Sequence, residues 1–467
     1  MRRVDTIRGS IDRAESSRSD PIKSAYSPSV TSDKPLGYGI DFGTSNSAVS
    51  IAYADRVELL PIGPTRSSRT LPSFVYLHRS ERRQAGSEGV KTFLTSGHEK
   101  TDCWRCPLAP YGADTDCRQY RKGGGCNDAR LLSGVKHELA KIGFAGTNSW
   151  ATDFSVATLV SVVLKRLKTE ADEATGHATT RLVLGHPVVF AGADRAHLQE
   201  SEAEAFKRLR EAAHTAGFED VEFMAEPVAA VIGEERHAGV EIAVDFGGGT
   251  FDVAVMDSRR ETPRITGTAG VAVGGELLDG VLFETVVGPA LGLDRLPYWL
   301  FNDLRTASSV RLVMADPGIP SILARIGGDA GQLVHALLYG GHAYDFYRAI
   351  EAAKIELSGS ESAELTYAPL GLDVPIRRSA FEAMIRPELD TVKQTIVEAL
   401  IEAGVTAGEV DRVLVTGGSG QIPAFRRDLA AMFGETRLEQ RDAFTAVVHG
   451  LGVRAQQSFS SAASARG

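Results

Sequence analysis

The residues of this chain best suited to chemistry are carboxylates set beside glycine-rich turns. The densest example is Val244-Asp245-Phe246-Gly247-Gly248-Gly249-Thr250-Phe251-Asp252. An apolar run (Ile242, Ala243, Val244) leads into an acid, three glycines, a threonine and a second acid, and Val253, Ala254 and Val255 lead out. This is the pattern of a β-hairpin whose turn is nearly all backbone. Without a Cβ the turn can adopt positive φ and let a ligand approach its amides. Successive amides aimed into one concavity bind anions. Acids on either side of an anion are compatible with it when a divalent cation bridges the two.

A second copy of the plan lies about two hundred residues earlier, a domain-scale period. Ile40-Asp41-Phe42-Gly43-Thr44-Ser45-Asn46-Ser47 again runs from apolar residues through Asp-Phe-Gly to hydroxyl residues, and Ala48, Val49, Ser50 and Ile51 follow. A third turn, Gly417-Gly418-Ser419-Gly420, follows the buried-type strand Val413–Thr416 and precedes a helix from Pro423. Amides at a helix N-terminus favour anions. A lone GGSG is most often a turn without a ligand. Three glycine turns, each at a strand end, point to a phosphate site, and the two related hairpins to a nucleotide clamped between similar halves.

The elements that must hold these turns alternate between strand and helix, which implies an α/β architecture in two lobes. Residues 1–36 read as a disordered leader. The first lobe is expected over 37–235. Its strands are Val57–Ile62, Phe74–Leu77, Arg181–Gly185 and Val221–Met224. Its helices are Phe154–Gly176, Asp194–Gly217 and one opened by Glu226-Pro227. The second lobe is expected over 236–440, with an outer subdomain at about 276–362. There the hairpin leads through Gly270–Gly275 into a helix from Glu276, Leu365–Pro375 reads as strands, and Ser379–Ala403 reads as one long helix with Ser379 as N-cap. A last helix, about Phe444–Gln457 within residues 441–458, returns to the first lobe, and 459–467 reads as a disordered tail.

Composition is ordinary for a globular chain: 467 residues, 43% hydrophobic, 24% charged, net charge −9. An acidic balance argues against nucleic acid as a partner. No apolar run is long enough to span a membrane, and the N-terminus lacks the apolar core of a secretory signal, so residence in the cytoplasm is expected.

At this level of detail the chain resembles the actin-like ATPase superfamily, and most closely the nucleotide-binding domain of the 70-kilodalton heat-shock chaperone family. The matching blocks are GIDFGTSNSAV (39–49), RTLPSFV (69–75), AEPVAAVIG (225–233), VDFGGGTFDVAVMD (244–257), VGGELLD (273–279), EAAKIELS (351–358), VLVTGGSGQIP (413–423) and DAFTAVVHGLG (442–452). They stand in the family's order. The resemblance implies a fold of two lobes, each a duplicated mixed β-sheet with flanking helices, around a cleft for ATP or ADP with Mg. It implies that Asp41 and Asp245 hold hydrated Mg, and that Gly43, Thr44, Ser45 and Gly247, Gly248, Gly249 cradle the phosphates. Thr250 would contact the terminal phosphate, Glu226 would orient water near the metal, and Asp252 would stand close to the attacking water. Gly274, Gly275 and Glu276 resemble the ribose-side segment. Glu351, Lys354 and Ser358 resemble the helix flanking adenosine. Gly417, Gly418, Ser419 and then Asp442 resemble the adenosine-side turn and the acid after it. The catalytic lysine is assigned to Lys136, in Leu131-Leu132-Ser133-Gly134-Val135-Lys136-His137-Glu138-Leu139, with Lys141 as the alternative.

Two departures stand out. Ile355 and Gln421 occupy positions where the family carries basic residues, so adenine is expected to be held more weakly, or by apolar packing. The family's longer members continue into a β-sandwich that grips peptides and a helical lid. This chain stops about fifteen residues beyond its last matching block, so it resembles the short members, and peptide binding by the usual route is expected to be missing. The function implied is an ATP-binding, slowly hydrolysing switch for an unknown protein partner or co-chaperone. The alternatives are a small-molecule kinase of the same fold, a non-hydrolysing nucleotide-binding scaffold, and a filament-forming protein.

All four cysteines, Cys103, Cys106, Cys117 and Cys126, fall in a polar insert at about 80–130. They could close a zinc site or an iron–sulfur cluster, act as redox or paired thiols, or stand unligated. His137 reads as a helix-surface residue, and Trp104, Trp150 and Trp299 as packing residues. His186 could be structural or could support the cleft.

Overall fold

The structure, a computed structural model, describes residues 34–62, 68–78, 82–95, 129–149, 152–232, 237–259, 264–310, 313, 319–440 and 445–464. The four cysteines, Trp104, Trp150 and Asp442 lie outside the described residues.

Two mixed sheets carry the molecule, and their strand orders are the same. In the first, β1 (Gly37–Phe42), β2 (Asn46–Ala52) and β3 (Val57–Leu59) form an antiparallel meander. β4 (Arg181–His186) then joins parallel to β1, and β5 (Asp220–Ala225) parallel to β4. In the second, β6 (Val240–Phe246), β7 (Phe251–Asp257) and β8 (Arg264–Val271) form the meander. β9 (Arg412–Thr416) joins parallel to β6, and β10 (Leu438–Gln440) parallel to β9. The duplication inferred from two Asp-Phe-Gly turns thus extends to all five core strands. The parallel steps need crossover helices. In the first lobe, Val156–Thr175 leads to β4 and Leu198–Thr215 joins β4 to β5; in the second, Arg386–Ala403 leads to β9 and Pro423–Phe433 joins β9 to β10.

Each sheet has its own core. Ile40, Val49, Leu182 and Leu184 are buried in the first, with Leu159, Val163 and Leu167 of Val156–Thr175 laid over them. Ile242, Val244, Val253 and Val415 are buried in the second, beneath Leu389, Val392 and Ile396. A smaller apolar cluster joins the lobes: Ala229, Ala230 and Val231 from the helix Glu226–Ile232, with Val447, Leu451 and Ala455 from the helix Ala446–Ser464. These two helices cross so closely that a Cβ on Gly450 would fall 1.7 Å from the Ala229 carbonyl oxygen. Only glycine permits the crossing.

Five expectations change. β8 lies between the glycine hairpin and Gly274-Gly275, where the reading ran directly from one to the other; its sequence, RITGTAGV, is small-residue-rich and reads as loop. Ser379–Ala403 is two helices, Arg378–Met384 and Arg386–Ala403, broken at Ile385, with Pro387 in the first turn of the second. Proline lacks the N–H an uninterrupted helix requires. Ser379 is inside the first of these helices rather than capping it. The last helix runs on to Ser464, and Phe459 is 9% exposed, so residues 459–464 continue a helix rather than forming a loose tail. Trp299 is 44% exposed, not buried. Among the described residues, no helix is long and apolar enough to cross a membrane.

Candidate functional site

The two hairpin turns meet in the cleft between the lobes. A Cβ on Gly248 would lie 2.9 Å from Ser45 Oγ, and one on Gly249 would lie 2.6 Å from both Thr44 Oγ1 and His137 Nε2. The second turn is closed by the Gly247 N–H donating to the Thr250 carbonyl (3.0 Å), and Gly275 and Glu276 N–H groups donate to the Gly247 and Gly248 carbonyls (3.0 and 2.8 Å). The segment Gly274–Glu276 is thereby fixed against the second turn. Gly274 has no room for a side chain: a Cβ there would sit 2.4 Å from the backbone of Gly249.

Strand register collects the acids. Asp245 stands directly opposite Asp252 on β7 and beside Thr416 at the end of β9. Like charges directly across an antiparallel pair repel. Two features offset this in part. The Thr416 hydroxyl donates to Asp245 Oδ1 (3.1 Å). Asp252, fully buried, accepts the Val188 and Val189 N–H groups at Oδ1 (2.8 and 3.2 Å) and the Thr250 hydroxyl at Oδ2 (2.6 Å). The turn after β4 in the first lobe therefore holds a carboxylate of the second.

Lys136 enters from a short 3₁₀ turn, Val135–Glu138. Its Nζ lies 2.7 Å from Glu226 Oε1, with both side chains nearly covered. Burial alone would lower the lysine; the Glu226 charge, with Asp41 and Asp252, outweighs it and holds the ammonium above its ordinary value. Burial, then the Glu226 charge, pushes Asp41 up to about 8, with Lys136 pulling the other way. Burial and Glu226 likewise raise Asp245 to about 7. Asp252 is raised to about 7 by burial, against its hydrogen bond from Thr250. Lys141, the alternative, instead pairs with Glu138 at 3.0 Å.

Four carboxylates facing one lysine form a desolvated, net-negative cluster beside two amide turns. That donor set suits a divalent cation with a polyphosphate. Among the described residues, no three His, Cys, Asp or Glu side chains stand close enough to ligate one ion directly. Asp41 and Asp245 suit a cation that keeps several of its own waters, as magnesium does.

The region expected to face adenosine is built by β9 and the helix Ala343–Gly359. Gly417 has φ of 80°, and a Cβ there would lie 2.2 Å from the Phe246 carbonyl oxygen. The Ser419 hydroxyl donates to the Gly247 carbonyl (3.3 Å), tying the third turn to the second, while Gly418 is exposed. Lys354 is drawn inward: its Nζ donates to the Gly275 carbonyl (2.8 Å) and pairs with Asp279 (2.9 Å). Glu351 pairs with Arg348, Ser358 is half-buried, and Ile355 is 60% exposed.

Three contributors were not legible in the sequence. Thr416 precedes the third turn, and only strand register shows that it faces Asp245. Asp279 gains its role from Lys354, far away in the chain. His137 lies in the cleft rather than on an outer helix surface, its Nδ1 3.2 Å from Glu276 Oε2 of the opposite lobe. His186 is held by its own neighbour, Nδ1 lying 2.8 Å from the Pro187 carbonyl oxygen; burial lowers its pKa.

A family model described as Hsp70 protein matches residues 118–290 and 344–458, more than half of the chain. The matched ranges include Lys136, Glu226, the second hairpin with its acids, all but the first residue of the helix Ala343–Gly359, and the third turn.

Proposed function

The chain belongs to the Hsp70 family, nucleotide-binding chaperones of the actin-like ATPase fold, and from that premise we propose that it is a slowly ATP-hydrolysing switch whose lobes close on Mg·ATP. The observation that carries the reading is the cluster of Asp41, Asp245, Asp252 and Glu226 around Lys136, between two amide turns that belong to different lobes.

Phosphoryl transfer needs positioning and charge neutralisation more than covalent help from the protein. Bound with its magnesium, ATP would supply the bond to be cleaved and the divalent charge that offsets the phosphates. The backbone of Gly43–Ser45 and of Gly248 and Gly249 would donate to phosphate oxygens, on a turn that the Gly247 N–H closes against the Thr250 carbonyl. Asp41 and Asp245 are the residues that would hold the magnesium, through its water, where its charge would offset that of the phosphates. Lys136 stays charged through Glu226 and supplies a fixed cation. Asp252 is oriented by the Val188 and Val189 amides and by Thr250. When ionised, its carboxylate positions a water and takes up its proton. Thr250 links that acid to the phosphate turn. Ile355 offers adenine an apolar surface in place of a cation.

The lobes turn about the crossing of Glu226–Ile232 and Ala446–Ser464. Nucleotide controls a protein partner or co-chaperone only through its differential affinity for open and closed forms. The experiment is Mg-dependent phosphate release, with and without candidate small-molecule acceptors. Release without acceptor supports the switch. Phosphorylation of an acceptor would move the reading to a kinase, and tight binding without turnover to a scaffold.

A further inference from the structure

We infer that Phe74 and Tyr344 form an aromatic clasp across the cleft, and that its opening limits how fast bound nucleotide leaves; the second half of this inference rests on the nucleotide reading above. The two rings meet edge to face, centroids 5.3 Å apart and planes inclined at 67°. They come from opposite lobes. Phe74 lies between the short strands Leu71–Pro72 and Val75–His78. Tyr344 is in the first turn of the helix Ala343–Gly359. Both are half-buried.

Each ring is anchored to the phosphate or adenosine machinery of its own lobe. Next to Phe74, the Ser73 N–H donates to the Ser45 carbonyl (2.8 Å) and the Ser73 and Ser47 hydroxyls share a 2.7 Å hydrogen bond. The Gly86 N–H donates to the Phe74 carbonyl (3.0 Å). Phe74 therefore moves with the first hairpin. Tyr344 shares a helix face, by spacing, with Glu351, Ile355 and Ser358. Behind it, Phe346 is fully buried and the Tyr347 hydroxyl donates to the Leu304 carbonyl (2.5 Å), which fixes that end of the helix in the second lobe. Neither ring can follow the other when the lobes part.

Separating the rings exposes apolar surface and loses a favourable aromatic geometry. The clasp joins the first hairpin to the adenosine-side helix by a route independent of any ligand. Opening must break it in addition to the nucleotide's own contacts, so its strength enters the rate of release.

The test is displacement of a fluorescently tagged ADP from the full chain, followed by stopped flow. Phe74→Ala and Tyr344→Ala are each expected to speed release roughly two- to tenfold, the range an aromatic pair supports. Phe74→Leu, which keeps apolar volume without the ring, is expected to fall on the fast side, and Tyr344→Phe to match wild type. The double alanine variant is expected to release no faster than the faster single variant, because one contact is being removed twice. Wild-type rates in both single variants, or effects that multiply in the double, overturn the clasp. If tagged ADP does not bind wild type, the nucleotide reading fails. The clasp itself is then judged without nucleotide, by hydrogen exchange. Tyr344→Ala is expected to speed exchange at Ser45–Ser47 and Gly247–Thr250 while β6 and β9 stay protected, which also shows that the variant is folded. Unchanged exchange in the two turns would overturn it.

Discussion

Lys136 and Glu226 meet at 2.7 Å in a nearly covered position, one from a 3₁₀ turn and the other from the first turn of a helix ninety residues away. The pair keeps Lys136 charged, and it prevents Glu226 from adding an unpaired charge to Asp41 and Asp245. Removing one partner of a buried pair leaves the other desolvated, at a cost of about 3–5 kcal/mol. Lys136→Ala is therefore expected to lower both stability and phosphate release. Lys141→Ala, which breaks only the contact with Glu138, is expected to leave phosphate release near wild type. Denaturant melts and phosphate assays on the two variants check this.

The raised carboxylates give the ligand-free protein a definite pH dependence. Asp41 is held at about 8, and Asp245 and Asp252 at about 7, all above the ordinary Asp range. The folded protein thus binds more protons than the unfolded chain over roughly pH 4–8, so stability falls as pH rises through that window. The melting temperature without metal or nucleotide is expected to drop between pH 5.5 and 8.5. Mg with nucleotide competes with those protons and is expected to bind more tightly at pH 8 than at pH 6. Thermal melts and titration calorimetry at the two pH values read both effects.

Thr250 and Asp252 act through each other. Thr250→Ala removes the hydroxyl that donates to Asp252 Oδ2 and leaves the turn's amides in place. Nucleotide binding is expected to survive, and phosphate release to fall about 10²-fold or more, as when one positioned donor is lost from a preorganised site. Equal losses of binding and turnover would count against this division of labour.

Gly417 has no tolerance for a side chain. Its φ of 80° and the 2.2 Å approach of a built Cβ to the Phe246 carbonyl oxygen make Gly417→Ala strained on two counts. The backbone strain alone is about 1–3 kcal/mol, and the clash adds to it. Gly418→Ala, with no atom of a non-adjacent described residue within 4 Å of its built Cβ, is the matched control and is expected to be near neutral. Chemical denaturation of both variants measures the difference.

The duplicated hairpins were readable because glycine and aspartate mark them at fixed spacing, and the parallel strand before GGSG because its apolar run is unbroken. β8 was missed because an edge strand of Thr, Gly and Ala carries no hydrophobic alternation. Pro387 was a visible signal that the long helix breaks, and the capping pattern at Ser379 obscured it. The carboxylates were identifiable individually. Their convergence depends on register, Asp245 against Asp252 and Thr416, and on the crossing of chain segments that brings Lys136 to Glu226. His137 shows the limit most clearly: nothing in its neighbours tells which way a 3₁₀ turn will aim it.

The most direct measurement is a crystal structure with Mg and a non-hydrolysable ATP analogue. The expected result is phosphates seated between Thr44–Ser45 and Gly247–Thr250, a hydrated cation between them and Asp41 and Asp245, and Lys136 against the terminal phosphate. Nucleotide bound elsewhere, or a metal ligated away from both aspartates, would contradict the central claim.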